Sequence, residues 1–342
     1  MDNSIDFRQT KNIQIVHINI NGLRGRKTEL IHYLNECNPQ FVTLNETRLR
    51  EYTKIRIPNY HLIRKDRKER AGGGVGILIR KDIKYNEIDT SEFNEEFLAI
   101  SFESQGKKIA LATIYNPPYI SPNIENFKYI NDKFPLSIFM GDYNCKHAFF
   151  GCKKENKQGD LLFNIIEELD LLITNDNTPT HCPGTSVGDV LDLAIVSRQM
   201  ASRIESCDIG LDIGSDHLPV HLTLTSPEIQ KQNQKLILQY EKTDWTRFNK
   251  YINDNLIMTE AENPSEIDEA CDVIANTIKK ALNKACPKSK PKDKAFYISE
   301  VTMKLIKLKR QIRRIAQKSQ DESHKLLFNQ LKNLVTKSVK KR

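Results

Sequence analysis

The segment LSIFMGDYNCKH occupies residues 136–147 and consists of an apolar run followed directly by Gly141, Asp142 and Asn144. The apolar run has the length and the composition of a buried β-strand. The polar residues come where this strand should end, and loops that leave one edge of a sheet bring their side chains together. The segment therefore predicts a strand that carries Asp142 and Asn144 to a functional edge, although the polar residues taken alone also suit an ordinary turn.

The same alternation of short apolar runs and polar loops extends from about residue 12 to residue 225. Segments 28–36 and 160–169 instead show the helical spacing of apolar residues. Many short strands with interspersed helices predict an α/β fold, specifically a four-layered α/β sandwich of two packed, mainly antiparallel sheets flanked by helices. The predicted strands cover residues 13–20, 41–44, 75–79, 109–115, 136–140, 189–196 and 218–223.

The composition changes after this region, where residues 226–243 are rich in Gln and Lys. We therefore predict a domain at 1–225, a linker at 226–243 and a helical C-terminal extension at 244–342. Apolar residues recur at helical spacing within 265–282 and in two later amphipathic segments with basic outer faces. These later segments are 300–317 and 321–339.

The basic charge is concentrated at the end of the chain. The formal net charge is +8, and residues 301–342 hold 13 Lys and Arg against 2 Asp and Glu. Such a segment suits a polyanionic partner, although it also suits a solvated helix face. The 7 cysteines include no CxxC pair, which predicts free thiols. A signal pattern and an apolar run of ~20 residues are both missing, so we expect an intracellular protein without a membrane segment.

Polar residues also follow the other predicted strands, in the manner of Asp142. Taken singly, most of these polar residues do not indicate a functional site, since an acid at a strand end is usually solvated. Asp192 differs because it lies between Leu191 and Leu193, and a buried charge needs a partner. The polar clusters lie at 19–23, 44–47, 115–118, 141–144, 191–193 and 215–219.

In this order and combination, the motifs resemble the endonuclease/exonuclease/phosphatase superfamily, which includes apurinic endonucleases and deoxyribonuclease I. The resemblance covers about residues 12–222 and looks strongest toward the endonuclease domains of jockey-like non-LTR retrotransposons. It implies a metal-dependent endonuclease that hydrolyses a phosphodiester bond in DNA. The motifs are INGLR (20–24), Arg67 ahead of GGGV (72–75), GDYNCKH (141–147), LDLA (191–194) and SDHLP (215–219).

The resemblance implies a metal site and a substrate groove. Glu46 would hold Mg²⁺, with Mn²⁺ as an alternative, and Asn19 and Asp216 would complete the metal site. Magnesium prefers hard oxygen ligands and keeps several waters, so one or two carboxylates suffice. The residues implied for substrate binding are Asn21, Thr180 and Ser186.

The resemblance also implies the catalytic roles. Asp142 would position and deprotonate the attacking water, and Asn144 would orient it. His217 would bind the scissile phosphate, and Asp192 would pair with its imidazole and raise its pKa. Tyr115 would donate to a phosphate oxygen. The departures from the family pattern, Tyr143 in place of Phe and an added acid at Asp189, remove none of these groups.

The region from residue 244 onward resembles the connector between endonuclease and reverse transcriptase in such elements. A Tyr-x-Asp-Asp motif is missing, so we predict that the polymerase itself is not part of this chain. The chain would then be a fragment, a truncated copy or a separately encoded piece. The implied partners are DNA and, through the basic helices, the element RNA, with a nuclear location during activity.

Two other interpretations remain open at the sequence level. One is a different phosphoesterase of the same superfamily, such as an abasic-site repair nuclease, because substrate choice depends on loops whose sequence is uninformative. The other is a catalytically silent nucleic-acid-binding relic that uses its basic C-terminal segment. The presence of all the proposed acids, the Asn residues and His217 argues against the relic. The oligomeric state and the target sequence have no sequence signature.

Overall fold

The computed structural model describes residues 12–68, 70–93, 96–182, 188–225, 229–231, 237–256, 263–289, 299–319 and 321–340. Its contacts divide the chain into two compact units. The first unit contains Met1–Gln232 together with Ala295–Arg342, and the second contains Asn233–Lys294. The first unit is therefore built from two segments of chain that the second unit separates in sequence.

The first unit contains two six-stranded sheets. Their strands are short and rich in β-branched residues, as the apolar runs predicted. In chain order they are β1 (Ile13–Asn19), β2 (Phe41–Asn45), β3 (Tyr60–Lys65), β4 (Val75–Arg80), β5 (Tyr85–Ile88), β6 (Glu96–Ser104), β7 (Lys107–Tyr115), β8 (Ser137–Asp142), β9 (Leu171–Ile173), β10 (Asp192–Ser197), β11 (Ile204–Ile209) and β12 (Val220–Leu224).

The two sheets share one topological pattern. The first has the order β11-β12-β1-β2-β4-β3, and the second has the order β5-β6-β7-β8-β10-β9. Each contains a single parallel pair near its centre, β1 with β2 and β7 with β8, and its other pairs are antiparallel. Because parallel strands end at the same edge, each sheet brings two strand ends together there. The prediction of two mainly antiparallel sheets is confirmed.

The core lies in three layers that follow from the alternation of side chains along each strand. Ile15 and Ile138 belong to the core between the sheets. Val16 faces the other way and packs with Leu30 of helix α1 (Leu23–Cys37). Phe139 likewise packs with the helices on the outer face of the second sheet. Helix, sheet, sheet and helix therefore form the predicted four-layered sandwich.

The helices of the sandwich begin where the sequence supplies caps. The side chain of Asn123 accepts a hydrogen bond at the start of α2 (Ile124–Asn131), and Asn156 does so at the start of α3 (Lys157–Glu168). A short helix, α4 (Arg198–Ala201), follows β10. Helix α1 begins earlier than the predicted 28–36, because its first turn starts directly after Gly22.

The second unit is mainly helical. Helix α5 (Trp245–Asn255) is capped by the side chain of Asp244. Helix α6 (Pro264–Ala285) is capped by Asn263 and has Pro264 in its first turn, where a missing N–H costs nothing. Strands β13 (Ile237–Leu238) and β14 (Lys288–Ser289) pair in antiparallel fashion. The helical spacing in 265–282 thus corresponds to α6.

The last two helices belong to the first unit. These are α7 (Glu300–Ser319) and α8 (Glu322–Lys340), and Thr302 near the start of α7 contacts Ser338 near the end of α8 at 2.6 Å between hydroxyl oxygens. The sequence predicted one extension from 244 to 342, whereas the contacts group 295–342 with the sandwich. The physical reason is that basic side chains of α7 are buried against acids of the sandwich, a pairing that the sequence does not show.

Two further expectations concern thiols and membranes. All seven cysteines are free, and most of them are buried. Within the part of the chain that the structure describes, no helix is both long enough and apolar enough to cross a bilayer. The five buried thiols pack in the interior as small apolar side chains.

Candidate active site

The candidate site is the polar end of the core between the two sheets. Ile15 of β1 and Met140 of β8 belong to that core, and the same strand faces end in Asn19 and Asp142. In the pairing register, Asp142 lies opposite both Tyr115 and Asp192. Because side chains alternate along each strand, the inward faces of several strands carry apolar core residues and then end in one group of polar side chains. We call this group the sheet-end cluster, comprising Asn19, Glu46, Tyr115, Asp142, Asp192 and His217.

Asp142 lies at the centre of the sheet-end cluster and is 1% exposed. Its Oδ2 accepts a hydrogen bond from Asn19 Nδ2 at 2.8 Å, and its Oδ1 accepts one from the Asn144 N–H at 3.1 Å. Its own N–H donates to Asn45 Oδ1 at 2.7 Å, which ties β8 to the facing sheet. Burial raises the pKa of Asp142 to about 7, against the opposing charge of His217. The carboxylate can therefore exchange a proton near neutral pH.

His217 is held between two carboxylates. Its Nδ1 lies 2.7 Å from Asp192 Oδ2, and its Nε2 lies 3.9 Å from Asp142 Oδ2. Burial favours the neutral imidazole, but Asp192 and Asp142 outweigh it and raise the pKa of His217 to about 10. The positive charge of His217 holds the pKa of Asp192 well below its usual range, although burial alone would raise it. The Asp192–His217 pair thus behaves as a buried carboxylate with an imidazolium.

A second histidine completes the partners of Asp192. His17 Nε2 lies 3.2 Å from Asp192 Oδ1, and His17 Nδ1 lies 2.9 Å from Thr43 Oγ1. His17 is fully buried on β1, on the same strand face as Asn19. Sequence reasoning missed it, although a polar residue two positions before Asn19 on an apolar strand was a usable signal.

Glu46 lies at the end of β2 and bonds with three side chains. Its Oε1 accepts from Asn19 Nδ2 at 3.2 Å and from the Tyr115 hydroxyl at 3.1 Å. Its Oε2 pairs with Arg48 Nη2 at 2.5 Å. Burial would raise the pKa of Glu46, but the hydrogen bonds from Arg48 and Asn19 lower it. Burial raises the pKa of Tyr115, and the Glu46 carboxylate adds to the rise, so Tyr115 stays a hydrogen-bond donor.

Asp216 lies beside the sheet-end cluster and is joined to it through Asn21. Asn21 Nδ2 donates to Asp216 Oδ1 at 2.7 Å, and the Asn21 N–H donates to Asn19 Oδ1 at 3.1 Å. His181 Nε2 lies 3.9 Å from Asp216 Oδ2, and its ring is 4.5 Å from that of His217 between centroids. Burial alone would raise the pKa of Asp216, but the hydrogen bond from Asn21 and the charge of His217 lower it. Sequence reasoning missed His181, which no motif marked.

Three residues of the site adopt left-handed backbone within two positions of the end of a strand. Asn21, Glu46 and Asn144 have φ of 45°, 50° and 49°. Asparagine tolerates this region, but for a residue such as Glu it costs roughly 1–2 kcal/mol. The sharp turn after β2 aims the Glu46 side chain at Asn19 and Tyr115 instead of along the strand. The strained backbone of Glu46 therefore accompanies a carboxylate that is turned toward the other residues of the site.

The donor chemistry fits a hard divalent cation. Carboxylates of Glu46 and Asp216 and the amides between them supply the oxygen ligands that such ions prefer. Asn19, however, directs its Nδ2 to both Glu46 and Asp142, so its amide bridges two acids here. Among the described residues, the close triplets of potential ligands are His181–Asp216–His217 and Asp142–Asp192–His217, within 4.8 Å. Glu46 belongs to neither triplet.

The two residues expected in the groove have different outcomes. Thr180 is fully buried, and its hydroxyl accepts the N–H groups of Leu191 and Asp192 at 3.0 and 2.9 Å. In this geometry Thr180 fixes the start of β10 instead of facing a groove. Ser186 lies outside the described residues.

Comparisons with known proteins agree with the motifs and the fold. Residues 109–221 match the family model described as an endonuclease-reverse transcriptase. Over 335 residues, the chain is 24% identical to the RNA-directed DNA polymerase from mobile element jockey of Drosophila funebris. That alignment covers 94% of this chain and 36% of the relative. The chain thus spans about a third of that relative's length.

Solved structures give the same fold. The endonuclease domain of TRAS1, a telomere-specific non-LTR retrotransposon, is similar with a TM-score of 0.55 and 19% identity, over 64% of this chain and 100% of that chain. The AP endonuclease LMAP from Leishmania major is similar with a TM-score of 0.54 and 16% identity, over 64% and 91%. The expected fold of two packed sheets flanked by helices is confirmed and is shared with these two endonucleases. Together the comparisons bear out the resemblance to the endonucleases of non-LTR retrotransposons.

Proposed function

We propose that this chain is a Mg²⁺-dependent endonuclease that nicks DNA and leaves a 3′-hydroxyl, from which a non-LTR retrotransposon would prime reverse transcription. The observation that carries the proposal is the juxtaposition of Asp142 and His217, with 3.9 Å between Oδ2 and Nε2. One group has a pKa near 7 and the other is an imidazolium. A proton acceptor and a cationic donor thus flank one small space, as phosphodiester hydrolysis requires.

The roles of the side chains follow from their protonation and contacts. Asp142 accepts the proton of the attacking water, and the Asn144 N–H keeps its other oxygen in place. His217 has Nδ1 engaged with Asp192, so Nε2 is the donor that remains for a phosphate oxygen. Tyr115 keeps its proton and offers a second donor beside Glu46. Such preorganised donors stabilise the charge that develops on the phosphoryl oxygens.

The cation would be held by Glu46 and Asp216, with Asn19 nearby. When bound, Mg²⁺ would polarise the phosphate and stabilise the leaving oxygen, and Mn²⁺ can replace it where oxygen ligands dominate. In the conformation described here, Glu46 instead pairs with Arg48. That pairing keeps Glu46 ionised, since the hydrogen bonds from Arg48 lower its pKa.

The alternatives within the superfamily differ in substrate. An abasic-site repair nuclease would use the same Asp142, Asp192 and His217 chemistry, and the likeness to an AP endonuclease is a likeness of fold. The retrotransposon function is favoured because the sequence similarity to the jockey polymerase extends over 94% of this chain. A silent relic is disfavoured because the acids and His217 remain mutually bonded.

The proposed partners are nucleic acids. DNA is the substrate, and the exposed basic side chains of α7 and α8 are candidates for contact with DNA or with the element RNA. A nuclear location during activity follows from a chromosomal target. Both statements rest on the proposed function.

The test is a plasmid-nicking assay with purified chain. We expect conversion of supercoiled to open-circular DNA with Mg²⁺ or Mn²⁺, and none with EDTA. Extension of the nick by a DNA polymerase, without prior end repair, would report the 3′-hydroxyl. A strong preference for abasic over intact DNA would favour the repair nuclease, and binding without cleavage under all metals would favour the relic.

A further inference from the structure

Helix α7 donates hydrogen bonds through Arg313 to the loop that carries Asp216 and His217. The Arg313 side chain is 3% exposed, and its Nη1 donates to the Ser215 carbonyl oxygen at 2.8 Å. The same nitrogen lies 2.7 Å from Asp212 Oδ1. Nη2 donates to the Cys182 carbonyl oxygen at 2.7 Å. One guanidinium group therefore binds two separate segments of the sandwich.

The two carbonyls are neighbours of the two histidines of the site. Ser215 lies two residues before His217, and Cys182 follows His181 directly. The two segments also pair with each other, since the Cys182 N–H donates to the Asp216 carbonyl oxygen at 2.7 Å. Arg313 thus binds both of the segments whose pairing sets the distance between the His181 and His217 rings.

Other contacts confine the same loop. The Asp212 Oδ1 that pairs with Arg313 also accepts the Gly214 N–H at 2.6 Å, which fixes the turn before Ser215. Gly214 has φ +87°, and a Cβ there would approach Glu29 Oε2 to 2.5 Å. A side chain at position 214 would therefore clash, and the Asp212 carboxylate that shapes this turn is the one that Arg313 contacts.

A cavity shows how near α7 comes to the site. It has a volume of about 330 Å³, and its walls include Asn21 and Asp216 on one side and Lys309 and Arg313 of α7 on the other. The helix therefore contributes to the surroundings of the candidate metal ligand Asp216, over and above its packing on the sandwich.

We propose that Arg313 is a positioning residue for Asp216, His181 and His217, so that the nuclease site is complete only with α7 in place. This inference rests on the proposed function. The planar guanidinium makes three contacts in fixed directions, which a lysine ammonium cannot reproduce. Because small misplacements of reacting groups cost up to ~100-fold in rate, loss of these contacts should act on turnover.

The experiment compares Arg313→Gln with Arg310→Gln in the full chain. Arg310 is the matched control, because it is also buried on α7 but pairs with Glu36 of α1 at 3.3 Å, away from the site loops. We expect Arg313→Gln to lower kcat by about 10–100-fold with little change in KM. Arg310→Gln should destabilise the fold comparably and keep kcat within about threefold. Arg313→Lys should recover little of the lost kcat.

A second measurement does not depend on activity. Imidazole NMR signals of His181 and His217 should shift in Arg313→Gln and stay in place in Arg310→Gln, with His221 as an internal reference. Equal losses of kcat in both variants, or unchanged kcat and unchanged signals in Arg313→Gln, would overturn the inference. If the wild-type chain cleaves no DNA, the proposed function fails, and the histidine signals alone then decide the role of Arg313.

Discussion

The sheet-end cluster and the contacts of α7 both bury charge, but they arrange it differently. In α7, each buried cation has its own carboxylate: Lys309 pairs with Glu29 at 2.9 Å, and Arg310 pairs with Glu36 at 3.3 Å. In the cluster, Asp142 and Asp192 share one imidazole. In the cluster, burial raises the pKa of Asp142 against the charge of His217, and the two carboxylates raise the pKa of His217 against its burial.

The difference shows what each region contributes. Removing one partner from a buried pair leaves an uncompensated charge, so the α7 contacts should matter for stability. A group with a strongly displaced pKa in a polar cluster is a functional candidate, so the cluster should matter for chemistry. The predictions that follow would separate these two contributions, or would show that they cannot be separated.

The largest effect is expected from Asp142→Asn. The amide keeps the shape and most hydrogen bonds but cannot accept the proton of a water. We expect DNA nicking to fall by at least roughly three orders of magnitude, with the melting temperature within a few degrees of the wild type. Glu87→Gln, at an exposed acid of β5, is the matched control and should be fully active. Retained nicking by Asp142→Asn would remove Asp142 from the mechanism.

Asp192→Asn should act through His217. Without the carboxylate at 2.7 Å, burial favours the neutral imidazole, and a cationic donor to the phosphate is lost. We expect a loss of roughly 100- to 10,000-fold in kcat with a small change in DNA affinity. Single-turnover nicking and a binding isotherm on the same oligonucleotide would measure both. A loss confined to affinity would instead show that the Asp192–His217 pair acts in ground-state binding of DNA and not in the chemical step.

Lys309→Met should act on stability. The Lys309 side chain is 2% exposed and pairs with Glu29, so its removal leaves a half-buried carboxylate without this partner. We expect the free energy of unfolding to fall by about 3–5 kcal/mol, measured by urea denaturation. The double variant Lys309→Met with Glu29→Gln should recover part of this loss. Additive losses in the double-mutant cycle would show that the pair does not interact.

His221 is a buried histidine whose pKa shift has the opposite sign to that of His217. It pairs with the Tyr33 hydroxyl, and burial lowers its pKa to about 4. The unfolded chain therefore binds this proton first as pH falls, so stability present above pH ~6.5 should be lost toward pH 4. The loss should be about 3 kcal/mol larger than in His221→Gln. Parallel pH curves of unfolding free energy for both proteins would refute the assignment.

The smallest effect concerns the exposed cations of the last helices. Lys304, Lys307 and Arg314 are exposed on α7, unlike Lys309. If each contacts a phosphate, replacing all three with Gln should reduce the log–log salt slope of DNA binding by about 0.9 per contact. Lys309→Met should leave the slope unchanged. An unchanged slope in the triple variant would indicate that α7 serves packing alone.

Much of the fold and of the cluster could be predicted because both depend on strand periodicity. Asp192 between two leucines required a partner, and the polar ends of apolar runs indicated where side chains meet. His17 escaped notice because one buried histidine on a strand carries no motif. Thr180 was expected in a groove, whereas it bonds to the backbone of β10.

The role of α7 could not be predicted from the sequence. A basic amphipathic helix normally turns its charges to water, and its pattern does not reveal that Lys309 and Arg313 are buried. Their partners, Glu29 and Asp212, lie far away in sequence and look like ordinary surface acids. Tertiary pairing across that distance is set by shape, which local periodicity does not encode.

The interrupted first unit has a consequence for synthesis on the ribosome. All strands of the two six-stranded sheets have been synthesised once β12 has emerged, but Arg313 emerges only after the whole second unit. At about 5–20 residues per second, this delay is of the order of ten seconds. During that interval the loop at 212–217 lacks its guanidinium partner. If Arg313 positions Asp216, His181 and His217 as proposed, a nascent chain would carry a folded sandwich before its candidate site is complete.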